Sequence, residues 1–114
     1  MPASSMLQLI EGYLRVTADR QQVVAANMAN VDTPGYQTRD IDFQQALQDA
    51  VNNDGGVHLA PASFTVQGLP ERPDGNNVNI DRESMVLSEA QLQYQMGVQL
   101  IKEEFHKVLT AVKE

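Results

Sequence analysis

The sequence contains neither cysteine nor tryptophan, and aromatic residues make up only 5% of its 114 residues. The lack of cysteine excludes disulfides and thiolate metal sites. The scarcity of large aromatic side chains leaves a short domain with few anchors for a core of its own. We therefore expect a single domain whose core is completed by partners.

Basic residues and long apolar runs are also scarce. Eight Lys and Arg face fifteen Asp and Glu, which gives a net charge of −7 and disfavours binding to nucleic acid or to an anionic membrane surface. No apolar run approaches the roughly 20 residues that a membrane span needs. The N-terminal segment MPASSMLQLIEGYLRV lacks the basic start and uninterrupted apolar stretch of a cleaved secretory signal.

The N-terminal part of the chain has the apolar periodicity of a helix. Ser4 or Ser5 is placed to cap its first turn, and a Pro-Gly pair predicts its end near Asn30. Apolar side chains recur at a 3-4 spacing, with Thr17 and Gln21 as a polar middle, which is typical of a coiled-coil-like seam. The apolar positions are Leu7, Ile10, Leu14, Val24, Met28 and Val31.

A longer helix is predicted from Ile80 to the C-terminus. Ile80, Asp81 and Met85 have the spacing of a hydrophobic staple around Asp81 as N-cap, and Glu83 suits the positive end of the helix dipole. Some thirty residues at about 1.5 Å each span roughly 45–50 Å. One shorter partner does not cover that length, so part of the apolar stripe should contact other molecules. The stripe is Tyr94, Val98, Ile101, Phe105, Val108 and Val112.

The residues after the first helix are suited to reverse the chain and start a second helix. Pro34-Gly35 fits the central pair of a type II turn, since proline fixes φ and glycine accepts φ > 0. A short helix is predicted over Phe43–Val51, with Asp42 as its cap and Gln45 in the position that completes a capping box.

The predicted fold is mainly α. Two long terminal helices form a coiled-coil-like pair around a short loop-rich centre with at most a small β-hairpin. In that centre Val57–Leu59 and Phe64–Gln67 are predicted either as short strands or as disordered segments. Residues 1–31 and 80–114 should together form one helical core domain, with 32–79 as the turn, short helix and loop or hairpin centre.

No catalytic, cofactor-binding or metal site is predicted. His58 and His106 are the only histidines, and the i, i+3 pair of Glu103 and His106 lacks the further ligands that a metal needs. Asp40 and Asp42 are explained by turn and capping roles. The sequence has no glycine-rich phosphate loop, nucleophile elbow or triad pattern. We expect a protein that is not an enzyme.

A specific motif spans the end of the first helix. Residues 25–36, AANMANVDTPGY, resemble the A-N-x-A-N-x-x-T-P-G-Y signature of flagellar rod and hook proteins. The run QTRDIDF at 37–43 is similar to an R-D-x-D-F run of proximal rod members of that family, and residues 77–83 and 92–95 are similar to their last helix. The motif positions are Asn27, Asn30, Asp32, Thr33, Pro34, Gly35, Tyr36, Arg39, Asp40, Asp42 and Phe43.

The resemblance implies a structural subunit of the bacterial flagellar basal-body rod, which assembles at the proximal rod for motility. Its implied partners are copies of itself, other rod proteins, the rod-to-ring adaptor and the export gate, with no nucleic acid and no direct membrane insertion. The implied location is the rod in the periplasmic space, reached by type III export without a cleaved signal peptide. Two alternatives stay open: another proximal rod or rod-to-ring adaptor protein, and a helical export adaptor or chaperone.

Overall fold

The computed structural model describes residues 3–52 and 61–113, and this part of the chain is mostly helical. The molecule is elongated, with extents of 66 × 25 × 19 Å. Two long terminal helices enclose a short centre with a small sheet, which confirms the predicted fold class. The elements in chain order are α1 (Ala3–Ala29), β1 (Arg39–Ile41), α2 (Phe43–Asn52), β2 (Ser63–Thr65) and α3 (Ile80–Lys113).

The terminal helices α1 and α3 pack side by side in opposite directions. Arg20 contacts Glu89 near the start of α3, and Leu14 lies against Gly97 further along it. Gly97 permits the close approach, because a Cβ at this position would lie 2.6 Å from Cδ2 of Leu14. The side chains of Ile10 and Val24, both predicted as seam positions, are buried.

A second face of α1 packs against α2 and β1. Val16 joins Ile41 and Ala46 in a buried apolar cluster, and the rings of Tyr13 and Phe43 meet edge to face with centroids 5.5 Å apart. The partner of α2, which the sequence pattern does not indicate, is therefore α1. Because α1 is covered on two faces, it is the central element of the fold.

The helix starts differ in part from the predictions. α1 begins at Ala3, so Ser4 and Ser5 lie inside the helix and the predicted cap is wrong. The cap of α2 is confirmed, since the Gln45 N–H donates to Oδ1 of Asp42 at 3.1 Å. The Gln45 side chain donates to Asp49, one turn further on.

The predicted N-cap of α3 is also wrong. The Arg82 N–H donates to Oδ1 of Asn79 at 3.1 Å, so Asn79 caps the helix and Asp81 lies in its first turn. Ile80 and Met85 are both exposed and form no buried staple. Both Asn79 and Asp81 have a side chain that can cap, and the helix begins directly after the first of them.

The two strands of the small sheet are not joined by a hairpin turn, because α2 lies between them in the chain. β1 and β2 are antiparallel, with Arg39 opposite Thr65, Asp40 opposite Phe64 and Ile41 opposite Ser63. The segment predicted as Phe64–Gln67 thus contributes a strand, but its partner is Arg39–Ile41 across α2. The other predicted strand, Val57–Leu59, lies outside the described residues.

Candidate functional site

The turn after α1 is held by a hydrogen bond within the turn and by a second one to the loop before α3. The Tyr36 N–H donates to the Thr33 carbonyl at 3.2 Å, and Gly35 has φ 77°, which confirms the predicted turn around Pro34-Gly35. The Gly35 N–H donates to the carbonyl of Asp74 at 2.9 Å. Two distant segments of the chain therefore meet at the turn.

Asn27 is the centre of this junction. Its side chain is fully buried, and its Oδ1 accepts hydrogen bonds from the Tyr36 hydroxyl at 3.0 Å and the Arg39 N–H at 3.1 Å. Its Nδ2 donates to the Arg39 carbonyl at 2.8 Å and to Oε1 of Glu83 at 3.1 Å. One amide thus uses all its hydrogen-bonding positions to connect α1, the turn, β1 and α3.

A second asparagine joins the loop before α3 to the end of α1. Nδ2 of the buried Asn76 donates to the carbonyls of Asn30 and Thr33, at 2.9 and 2.8 Å. Asn30 in turn donates from Nδ2 to the Ala26 carbonyl and accepts from the Thr33 hydroxyl. These bonds satisfy carbonyls that the end of a helix leaves without partners.

The neighbouring Asn77 binds the strand side of the turn. Its Oδ1 accepts from the Thr38 N–H, and its Nδ2 donates to Oε1 of Gln37 at 2.9 Å. Arg72 reaches the Val31 carbonyl at 2.6 Å with its guanidinium. We refer to Asn27, the turn at 30–38 and the loop at 72–79, held together in this way, as the junction.

A network of charges lies beside the junction. Arg20 makes a bidentate contact with Asp40, at 3.2 and 3.3 Å, and its Nη1 binds Glu89 at 3.0 Å. Burial lowers the pKa of Arg20, but the hydrogen bonds and attraction of Asp40 and Glu89 outweigh it and raise that pKa overall. Arg82 bridges Asp40 and Glu83, at 3.7 and 3.1 Å. The network connects α1 and β1 to the start of α3.

Glu83 is the most enclosed member of this network, with no exposed surface. Its Oε1 accepts from Asn27 and Arg82, whereas its buried Oε2 has no hydrogen-bond partner among the described residues. Burial raises the pKa of Glu83 because desolvation opposes the charged form, although the bonds from Asn27 and Arg82 act in the opposite direction.

The structure places the predicted motif residues in two groups. Asn27, Asn30 and Thr33–Tyr36 lie in the junction, and Arg39 and Asp40 enter it from β1. Asp32 is exposed, 3.8 Å from Arg72. Asp42 and Phe43 lie further away, where they cap α2 and pack it on α1.

Sequence reasoning missed the roles of several polar residues that complete the junction. Asn76, Asn77 and Glu83 are buried, although each type is usually exposed. Their nearness in the sequence to the start of α3 suggested only turn and dipole roles. The one available signal was the resemblance of residues 77–83 to rod proteins. That resemblance did not indicate what these side chains contact.

The predicted stripe on α3 is only partly covered. Val98, Ile101 and Val108 are half-buried, whereas Tyr94, Phe105 and Val112 are exposed. On α1 the predicted positions Leu7, Leu14 and Met28 are half-buried. The buried face of α3 instead runs through Glu83, Val86, Ala90 and Gly97.

Two exposed apolar stripes therefore flank the packed face of α3. Stripe A comprises Tyr94, Phe105, Leu109 and Val112, and stripe B comprises Met85, Leu92, Met96 and Leu100. At about 100° per residue they lie roughly 70° from the packed face on one side and roughly 115° on the other. Stripe B was not predicted.

Stripe B ends at an open apolar groove of about 340 Å³. Met6, Leu9 and Tyr13 of α1, Leu47 of α2 and Leu100 of α3 line the groove, and Glu103, Glu104 and Lys107 lie at its edge. Apolar side chains of three helices thus remain in contact with solvent at the end of the molecule distant from the junction.

Within residues 3–52 and 61–113, no group of three or more His, Asp or Glu side chains is arranged to hold a metal ion. In the same part of the chain, no helix has the length and apolarity needed to cross a membrane.

The family described as Flagella basal body rod protein matches residues 14–37, which cover the second half of α1 and the turn. The FlgB rod proteins of Salmonella typhimurium strain LT2 and Escherichia coli K12 are each 34% identical to this chain, over 94% of it and 92% of the relative. The FlgB rod protein of Yersinia ruckeri is 29% identical, over 96% of this chain and 99% of the relative.

These matches cover both terminal helices and the junction between them. The chain belongs to the FlgB family of flagellar basal body rod proteins.

Proposed function

We propose that this chain is a structural subunit of the flagellar basal-body rod, which assembles with copies of itself and with other rod proteins and performs no catalysis. The observation that carries the proposal is the pair of exposed apolar stripes on α3. Exposed side chains that line up as contiguous apolar patches mark sites of protein association. Family membership supports the rod as the place of assembly.

The geometry of α3 favours an open assembly. Stripes A and B are different surfaces that point to different sides of the packed face, so neighbours on the two sides need not be related by a twofold axis. Contacts between unlike surfaces generate rings or helical filaments. A rod subunit requires contacts of this kind.

In this proposal, residues 1–31 and 80–114 act as one helical core domain, and 32–79 form the centre that the junction fastens to it. The motif residues from Asn27 to Phe43 set the direction in which the chain leaves α1. The buried and half-buried members of the predicted positions on α1 and α3 hold the pair together, and stripe A contacts neighbouring subunits.

The finer location is also proposed. We place the subunit at the proximal rod in the periplasmic space, next to the rod-to-ring adaptor and the export gate. It reaches this position by type III export without a cleaved signal peptide. The resemblance of residues 25–43 to proximal rod members supports this placement.

A pair of charge substitutions on α3 tests the proposal. Phe105→Asp places a charge in stripe A, where burial in an assembled rod would leave it unpaired. Because 54% of Phe105 is exposed in the subunit, the change should leave the subunit itself folded. Gln95→Asp adds the same charge at an exposed position of α3 between the two stripes and is the control.

We expect Phe105→Asp to abolish swimming and to prevent recovery of the chain with membrane-bound rods, while cellular levels stay near those of the parent. Gln95→Asp should assemble normally. Equal swimming and equal rod recovery of both variants would show that stripe A is not an interface.

A further inference from the structure

The charge network beside the junction contains more carboxylates than cations. Arg82 bonds Glu83 directly, and Asp40 of β1 and Tyr36 of the turn lie close enough to interact with its charge. Arg20 of α1 and Glu89 of α3 join the network through Asp40. Two guanidinium groups therefore face three carboxylates when all are ionised. Asp40 shares both cations, and Glu89 is the exposed member.

Glu83 is the carboxylate least able to keep its charge in this arrangement. It has no exposed surface, and one of its two oxygens lacks a hydrogen-bond partner in the described chain. The cation nearest to it, Arg82, is shared with Asp40. A proton on Glu83 balances the charges of the network at two against two and removes an incompletely solvated anion from the interior.

We propose that Glu83 makes the junction a proton-sensitive clasp, which holds α1 and α3 together more firmly in mildly acidic medium than at neutral pH. The location supports this role, because Glu83 is the only α3 residue bonded to Asn27 in the described network. The same amide holds the Tyr36 hydroxyl and both backbone groups of Arg39. Glu83 therefore acts on the point where the turn, β1 and both terminal helices meet.

The direction of the effect follows from proton linkage. The folded chain binds the Glu83 proton more tightly than the unfolded chain, whose carboxyl titrates near 4.5. Stability from this group is therefore fully present below pH 4.5 and is lost as the pH rises through the folded pKa. In that window one extra proton changes the folding equilibrium constant by up to about tenfold per pH unit.

Glu83→Gln is the informative variant, because it keeps the volume and an Oε1 that accepts from Asn27 and Arg82 but cannot ionise. Glu103→Gln is the matched control, since it removes one carboxylate from an exposed position of the same helix. Urea unfolding of the full chain should be measured from pH 4 to 8 for all three proteins.

We expect the folding equilibrium constant of the parent, relative to Glu83→Gln, to fall by up to about tenfold per pH unit between pH 4.5 and the folded pKa of Glu83, and to level off above it. The control should follow the parent. Carbon-13 NMR of the labelled parent should show that the pKa of the Glu83 carboxyl is raised above the usual glutamate value. This measurement does not depend on whether Glu83→Gln folds. Parallel pH profiles of parent and Glu83→Gln, or an ordinary Glu83 titration, would overturn the proposal. Neither readout depends on rod assembly, so the proposed function is tested separately.

Discussion

At the scale of single residues, the junction depends on groups that no other side chain replaces. Asn27 supplies two donor and two acceptor contacts from one buried amide. Gly35 supplies a backbone with φ 77°, in the left-handed region that favours glycine. A Cβ on Gly35 would meet no atom within 4 Å, so a substitution there acts through the backbone and not through a clash.

Gly35→Val should destabilise the chain by about 1–3 kcal/mol, because a β-branched residue resists positive φ. Incorporation into rods should fall, while synthesis and export continue. Urea unfolding measures the first effect, and comparison of cytoplasmic, secreted and rod-bound pools measures the second. Pro34→Ala should be milder, since it only loosens the turn.

Gly68→Val is the control for Gly35→Val. Gly68 also has positive φ, 83°, and free space around its Cβ position, but it lies outside the junction. The two variants should have similar backbone costs, and only Gly35→Val should be depleted from rods. Equal depletion, or none, would mean that the direction of the turn does not govern assembly.

At the scale of elements, the start of α3 is fixed by a cap that two residues could have supplied. Asn79 precedes the helix, and its Oδ1 accepts the Arg82 N–H. Asp81 lies within the first turn, where its charge interacts with the helix dipole. The identity of the cap also positions Glu83, which must face Asn27 of α1.

Asn79→Ala and Asp81→Ala distinguish the two roles. Loss of the cap should cost about 1 kcal/mol in the free energy of unfolding, whereas loss of an exposed dipole contact should cost roughly 0.3–1 kcal/mol. Denaturant unfolding at low and at high salt separates them, because salt screens only the dipole effect. A larger loss for Asp81→Ala that salt leaves unchanged would restore Asp81 as the cap.

At the scale of the whole molecule, the two ends differ in how they are held. The end at the junction has buried hydrogen bonds between distant segments, whereas the opposite end has the open groove and the exposed residues Phe105, Leu109 and Val112 of stripe A. The last residues of α3 from Leu109 onward are exposed along every side. Local stability should therefore decrease from the junction toward the distal end.

Hydrogen exchange of the free chain measures this gradient. Amides near Val24 and Val86, which are buried beside the junction, should exchange at least about tenfold more slowly than the amides of Leu109–Val112. If neighbours cover stripe A in the rod as proposed, the distal amides should gain protection on assembly. Uniform protection along both helices of the free chain would contradict the proposed dependence on partners.

The sequence by itself determined the helices, the turn and the family. Apolar spacing indicates a helix through contacts three and four residues apart, and Pro34-Gly35 selects a turn through its own φ angles. Both are local effects. The cap at Asp42 and the positive φ of Gly35 were predicted for the same reason, and the motif at residues 25–43 indicated the rod family.

Only the tertiary structure decided what these elements contact. Spacing within α3 could not show that its packed face passes through Glu83 and Gly97, because that choice depends on the shape of α1. The Thr38–Asn77 and Arg20–Glu89 bonds join residues 39 and 69 positions apart. The partner of β2 and the burial of Glu83 belong to the same group, since each is fixed by desolvation and close packing between distant segments.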